Sequence, residues 1–325
     1  MRYFLGVDVG GTKTHTLIAD ETGTAVGFGT DGPGNWQAVG FDGLQKALTA
    51  SIHQALDLAN LRLDQIFAAG FGIAGYDWPS QLQRHLDVIA PIGLSCPLEL
   101  TNDSIIGLMA GAAQGWGVVL IAGTSNNCRG RDRNQHEARI TGEGIRFGEF
   151  GGANEIVLRA VQAVTYQWST RGPKTSLSEL FIKLAGAKGL NDLIEGIDLG
   201  RYQPTAAWAP IVFEAAYLGD PVAGEVIAWS AHELGESACA VIRQLGIELE
   251  DFEIVMAGSV FDGGDIYIEP LRRRVHRFAP KARLVKLEAL PVVGGVILAM
   301  QNAGLPTAWV RKNLIESTRK FIQAE

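Results

Sequence analysis

The apolar positions of this chain follow two periods. Over residues 3–9 and 14–20 they run nearly unbroken or alternate, which predicts two short strands, and "TAVGFGT" (24–30) predicts a third after the turn "DETG". Between 39 and 59 the spacing changes. Leu44, Leu48, Ile52 and Leu56 recur every fourth residue, which predicts a helix with one apolar face. "IFAAGFGIAG" (66–75) and "PLELTND" (97–103) predict further strands, separated by a helix starting near Pro79. The plan then restarts. "GVVLIAGTSNN" (117–127) reads as an apolar strand ending on Gly-Thr-Ser. Residues 153–169, 176–186 and 222–245 are helical in pattern, "FEIVMAGSVF" (252–261) is one more strand, and "GGVILAMQNAG" (294–304) is a helix with a glycine-rich start. Two α/β halves result, each opening on a strand that ends in glycine and hydroxyls. No linker or low-complexity stretch separates them, and their similarity is too weak to count as a sequence repeat. The boundary is expected near 104–116, which gives units of 1–113 and 114–325.

Composition narrows the function classes. The 325 residues are 47% hydrophobic, enough to fill a sizeable core. The charge is 28 − 35 = −7, which argues against a nucleic-acid-binding surface. Cys96, Cys128 and Cys239 are widely spaced with no CxxC pair, so neither a disulfide framework nor a zinc site is expected, and a reducing cytoplasm is the natural home. The apolar run from Tyr3 is interrupted by Asp8 and lacks a cleavage pattern, so no secretory signal is expected. "PVVGGVILAM" (291–300) is far short of the roughly 18 residues that a membrane span needs. Glycine is the outlier, at 40 residues. The glycines cluster at the ends of apolar runs, where backbone turns sharply or approaches a ligand.

Three glycine motifs compete for the chemistry. "GFGIAG" (70–75) satisfies G-x-G-x-x-G, but the dinucleotide fingerprint needs a helix to start within the motif, and the next helix signal, at Trp78-Pro79, comes too late. "GVDVGGTKTHTLIAD" (6–20) is no Walker A loop, because the alternating "THTLIAD" makes Gly10-Gly11 the tip of a hairpin. Such a tip turns backbone N–H groups toward phosphate oxygens, with Thr12 and Lys13 adding a hydroxyl and a positive charge, or it is an ordinary tight turn. Asp8, at the end of the first strand, would hold Mg²⁺ through water. "LIAGTSNNC" (120–128) repeats this logic with Gly123, Thr124, Ser125 and Asn126.

Two such hairpins, each opening an α/β unit, resemble the paired phosphate clamps of the actin-like ATPase and sugar-kinase superfamily. "LTNDSIIGLMAG" (100–111) resembles its first inter-domain connection, "VMAGSVFDGG" (255–264) its adenosine loop, and "PVVGGVILAMQNAG" (291–304) its second connecting helix. The implied fold is α/β, with two ribonuclease-H-like (actin-like ATPase) domains around a central nucleotide cleft and the last helices packing back on the first domain. Within the superfamily, "GVDVGGTKT", "GPGNWQAVG" (32–40), "TND" and "AGTSNNCRGR" (122–131) resemble the N-acetylglucosamine kinase branch that also contains BadF-type ATPases.

That resemblance implies an ATP- and Mg²⁺-dependent kinase acting on a hydroxyl of an amino sugar, with O6 expected. Asp103 matches the general base; on its residues alone it is equally a helix N-cap. ATP would meet Gly10–Lys13, Gly123–Asn126, Gly258 and Ser259. Asn35, Trp36, Gly75, Asn102 and Gly142 match sugar contacts, although Asn35 also suits a turn and Trp36 core packing. The chain departs from the family in "TGEGIRFGEFGGANEI" (141–156). Glu143 stands where a tryptophan is expected and Glu149 where the sugar-binding aspartate is expected. A carboxylate at 143 suits a cationic sugar such as glucosamine, or it belongs to a surface loop. The resemblance also admits an ATPase that activates a partner reductase, whose iron–sulfur cluster needs two cysteines per chain at a dimer face. A homodimer is compatible with either. "RRRVHR" (272–277) reads as the solvated face of a helix, and His15 has no partner acid in the sequence.

Overall fold

The computed structural model describes residues 1–307 and 309–322. The chain opens as three antiparallel strands, β1 (Tyr3–Val9), β2 (Thr14–Asp20) and β3 (Ala25–Asp31), followed by helix α1 (Trp36–Ala59). Strand β4 (Ile66–Ile73), helix α2 (Leu82–Ile89), strand β5 (Leu98–Thr101) and helix α3 (Asp103–Gly111) complete the first half. Its sheet has the order β3-β2-β1-β4-β5, with β4 parallel to β1 and β5 parallel to β4.

The second half runs β6 (Gly117–Ala122), β7 (Asn126–Arg131), β8 (Glu137–Arg139), α4 (Ala153–Trp168), α5 (Leu177–Ala185), α6 (Leu190–Asp198), α7 (Ala209–Tyr217), α8 (Pro221–Leu245), β9 (Glu253–Ala257), α9 (Asp265–His276) and β10 (Arg283–Lys286). Its sheet has the order β8-β7-β6-β9-β10, again with an antiparallel meander leading into two parallel strands. Strand for strand this is the arrangement of the first sheet. The duplication hidden in the sequence is carried by hydrogen-bond topology, and α4–α7 are additions to the second copy.

Helices α10 (Val292–Asn302) and α11 (Val310–Ile322) return to the first sheet. Val292, Val293, Val296 and Ile297 join one core with Phe4, Leu17 and Ala68 of that sheet. Glycine permits the contact. A Cβ on Gly6 of β1 or on Gly70 of β4 would collide with the backbone of α10, and a Cβ on Gly294 would collide with the carbonyl of Ile106 in α3. The G-x-G pattern of "GFGIAG" therefore serves helix packing within a strand. α11 is tied to β3 by Ser317, whose hydroxyl accepts from the Ala25 N–H at 2.9 Å, and by Lys320, which donates to the Ala25 carbonyl at 2.7 Å.

Several boundaries differ from those expected. The strand predicted over 252–261 stops at Ala257, and Ser259–Gly263 form a 3₁₀ turn whose Val260 and Phe261 remain buried. α1 begins at Trp36 and is interrupted at Gly40, which has φ 72°. His15 does have an acidic neighbour: the register of β1 and β2 pairs it with Asp8. Among the described residues no helix is long and apolar enough to cross a membrane.

Candidate active site

Both glycine tips are tight hairpins stitched to a second segment. In the first, the Gly10 N–H donates to the Lys13 carbonyl at 2.9 Å, and the Gly34 N–H donates to the Gly10 carbonyl at 3.1 Å. Gly11, Thr12 and Lys13 project into solvent, and nothing lies within 4 Å of the position a Gly11 Cβ would take. In the second, the Gly123 N–H donates to the Ser125 carbonyl at 3.0 Å. The start of α4 holds this tip through Ala153 N–H to the Gly123 carbonyl (2.8 Å) and Asn154 N–H to the Thr124 carbonyl (3.0 Å). A helix N-terminus thus adjoins the tip, a setting that favours anions. Space beside Gly123 is open as well. The Asn126 side chain, in contrast, is buried and donates to Glu155 at 3.4 Å.

Gly258 has φ 110°, and a Cβ there would collide with the Ala122 carbonyl at the base of the second hairpin. The close approach places Ser259 and Val260 in the lining of a cavity of about 670 Å³, together with Thr124, Ala153, and Pro210 and Phe213 of α7. Of its two acidic lining residues, Glu214 and Asp262, the second is paired with Lys286 at 2.7 Å. The α7 residues were not anticipated, because "APIVFEAAY" carries only a helical apolar pattern.

Asp103 is the first residue of α3. The N-cap of α3 is Asn102, whose side-chain oxygen accepts from the Ser104 N–H at 3.0 Å, and Asp103 Oδ1 accepts from the same N–H at 2.9 Å, so the two side chains share that donor. Burial first, and then the negative charge of Asp8, push the Asp103 carboxyl up to about 7. Burial also raises Asp8, partly opposed by His15, whose Nδ1 lies 4.0 Å from Asp8 Oδ2. The structure therefore brings Asp8 and Asp103, 95 positions apart, within electrostatic reach. Among the described residues no three His, Cys, Asp or Glu side chains form a metal cluster. Asp8 supplies a carboxylate of the kind that Mg²⁺ takes one or two at a time, filling the rest of its shell with water and phosphate oxygens.

The expected sugar contacts divide. Asn35 caps α1 by accepting from Gln37 N–H at 3.0 Å, and the Trp36 indole donates to the Gly75 carbonyl at 2.8 Å. A Cβ on Gly75 (φ 81°) would lie 2.7 Å from Asn35 Oδ1, so these three residues converge. The Trp36 ring itself stacks on Phe41 with centroids 4.7 Å apart. Gly142 (φ 78°) lies against the Asn127 amide. Glu149 is only 8% exposed and spends its carboxylate on its own loop, accepting from Thr141 N–H (2.6 Å), Thr141 Oγ1 (2.9 Å) and Gly144 N–H (3.2 Å). Glu143 is exposed.

Sequence reasoning missed an interdomain pair. Arg129 of β7 donates through Nη2 to Asp77 Oδ1 at 2.7 Å, and both side chains are largely buried. No local pattern announces it, since the partners are 52 positions apart. Cys128 and Cys239 are both buried in the second half, so neither faces outward to share a cluster with another subunit.

The BadF/BadG/BcrA/BcrD ATPase family model matches residues 5–299. An N-acetylmuramic acid/N-acetylglucosamine kinase of Clostridium acetobutylicum is 27% identical over 301 residues, covering 92% of this chain and 98% of that protein. An N-acetyl-D-glucosamine kinase of Dictyostelium discoideum is 27% identical over 317 residues, with the same coverage of each. A ROK family glucokinase from Streptomyces griseus, solved in complex with glucose and AMPPNP, superposes with a TM-score of 0.55 at 19% identity, covering 92% of this chain and 99% of that one. The likeness establishes the fold as two actin-like ATPase domains.

Proposed function

Because this chain belongs to the BadF/BadG/BcrA/BcrD ATPase family, we propose that it is an ATP-dependent kinase that phosphorylates a hydroxyl, O6, of an amino sugar such as N-acetylglucosamine or glucosamine. Two relatives of near full-length coverage carry N-acetylglucosamine kinase names. The observation that carries the reading is Asp103 at the start of α3, beside Asp8 and tuned close to neutrality by burial and by that neighbouring charge.

A carboxylate with that pKa accepts a proton from an approaching hydroxyl without being protonated permanently at physiological pH. Asp103 removes the hydroxyl proton as the sugar oxygen attacks the γ-phosphorus, and ADP leaves with the bridging electron pair. Backbone N–H groups of Gly11–Lys13 and of Thr124 and Ser125 take the phosphates beside the open side of Gly123, the dipole of α4 favours their charge, and Lys13 supplies a positive charge. Ser259, placed by Gly258, lines the nucleoside side together with Phe213. Asp8 would hold Mg²⁺ through water, and that ion supplies neutralisation of phosphate charge. Asn35, Gly75 and Gly142 hold the sugar against Asp103, while Trp36, Asn102 and Glu149 shape the segments around it.

Sugar-stimulated ADP release across a panel of amino and neutral sugars, with product regiochemistry, tests the reading. Turnover confined to amino sugars with phosphate on O6 supports it; no stimulation by any sugar removes it. The reductase-activator alternative draws no support from the buried Cys128 and Cys239.

A further inference from the structure

Asp77 belongs to the loop after β4 in the first half and Arg129 to β7 in the second, so their 2.7 Å ion pair crosses between the two domains. Asp77 Oδ1 also receives Asn102 Nδ2 at 3.3 Å, and the same Nδ2 donates to the Tyr76 carbonyl at 3.1 Å. The other end of the Asn102 amide accepts from Ser104 N–H at 3.0 Å and from Ser104 Oγ at 2.5 Å. Asn102 is 3% exposed, and each end of its amide is bonded. The side chain is thus a rigid clip between loop 76–77 and the first turn of α3, where Asp103 sits. A second bond crosses on the same side, from Thr101 Oγ1 to Glu137 at 3.2 Å.

We infer that Asp77 and Arg129 are positioning residues for Asp103, transmitting the relative placement of the two domains to the start of α3 through the Asn102 amide. A guanidinium 5% exposed on its side chain, with Nε lacking a partner, keeps only the more distant Asp103 and Glu137 carboxylates as counter-charges once Asp77 is lost. The pair therefore holds only while the domains are together, and breaking it strands a buried charge. A group-transfer site tolerates little error, and a displacement of about 1 Å costs roughly 100-fold in rate. The surrounding cavity of about 390 Å³ is bounded by Tyr76 and Trp78 from one domain and by Arg139 and Gln244 from the other, with the Arg139 guanidinium 4.1 Å from the Trp78 ring centroid. Leu108 of α3 and Ala112 just after it pack on Val119 and Val255 of the second sheet, so the ion pair acts beside packing at this junction.

This inference rests on the phosphoryl-transfer reading, and the experiment separates the two. Asp77→Asn, Arg129→Lys, Arg129→Met and the double variant Asp77→Asn/Arg129→Met are compared with the parent by ADP release, melting temperature and small-angle scattering. The expected result is a kcat loss of about tenfold or more in Asp77→Asn and Arg129→Met with KM for ATP within about threefold, and an intermediate loss in Arg129→Lys. The double variant should be no worse than the poorer single, because the two residues act as one unit. Ligand-free Asp77→Asn should also show a larger radius of gyration. Folded single variants with kcat within about twofold of the parent, or losses that multiply in the double, overturn the inference. Should Arg129→Met fail to fold, Asp77→Asn and Arg129→Lys decide the matter by the same criteria. A parent without sugar-stimulated ADP release refutes the kinase reading instead, and an unchanged radius of gyration in Asp77→Asn then refutes the interdomain link on its own.

Discussion

The indole N–H of Trp36 donates to the carbonyl of Gly75 at 2.8 Å, which ties the start of α1 to the end of β4. Trp36→Phe keeps a ring against Phe41 but leaves that carbonyl without its donor. The expected cost is about 1 kcal/mol of stability, with a several-fold rise in KM for the sugar and little change in KM for ATP. Thermal melts and initial rates check it. Gly75→Ala should be more severe, since φ 81° and the Asn35 oxygen both oppose a Cβ.

Asp103→Asn should lower kcat by about 10²–10⁴-fold while nucleotide affinity survives. The same change should stabilise the ligand-free protein. Burial raises the folded carboxyl from 3.8 to about 7, so the parent loses stability relative to the amide as pH climbs through that interval. The carboxyl keeps partial access to the cleft, so the gain at pH 8 should be about 1–2 kcal/mol and should vanish near pH 3.5. Paired melting curves at the two pH values give the answer.

Rate should follow the same group. In the free enzyme a base with a pKa near 7 must lose its proton before it can act, so kcat/KM should fall on the acid side of neutrality with unit slope. An acid limb below pH 5, measured at saturating magnesium, would assign the base to an unperturbed carboxylate elsewhere.

The hairpin tips allow a cleaner test. No atom lies within 4 Å of a Cβ built on Gly11 or on Gly123, and neither has positive φ. Gly11→Ala and Gly123→Ala should therefore melt within about 0.5 kcal/mol of the parent. Each methyl would nevertheless occupy the space proposed for phosphate oxygens, and KM for ATP should rise about tenfold or more in both. Unchanged KM in either variant removes that hairpin from the nucleotide site.

Gly258→Ala supplies the contrast. Its φ of 110° and the adjacent Ala122 carbonyl leave no room for a side chain. The variant should lose about 2 kcal/mol or more and raise KM for ATP together, because the strand-end contact that forms the nucleoside wall is the one disrupted. A melt indistinguishable from the parent would show that this loop relaxes freely.

Local pattern carried the strands and both hairpins because each is a run of apolar residues ending in glycine, and such signals are contained in about ten positions. The Asp8–His15 pairing was within reach: a four-residue tip at 10–13 sets Val9 opposite Thr14 and hence Asp8 opposite His15. Pattern failed where burial and conformation separate. Val260 and Phe261 are buried like strand residues yet belong to a 3₁₀ turn, so apolarity alone extended β9 too far. Glu149 illustrates the limit on reading chemistry from alignment-like position, since its oxygens bind the loop that presents it. Arg129 stands inside "AGTSNNCRGR", but nothing in that stretch or in the loop after β4 links it to Asp77, and only folding of both domains creates the pair.

The glycine-lined seat of α10 bears on biosynthesis. Residues 292–322 supply the final layer on a sheet whose strands are complete by residue 101. While a ribosome is still translating the middle of the message, the first domain presents an uncovered apolar face, which is the circumstance in which nascent chains recruit chaperones or aggregate. Native closure of that domain must wait until nearly the whole polypeptide has emerged, so truncations before α10 should yield insoluble product even though they retain every strand of the first sheet.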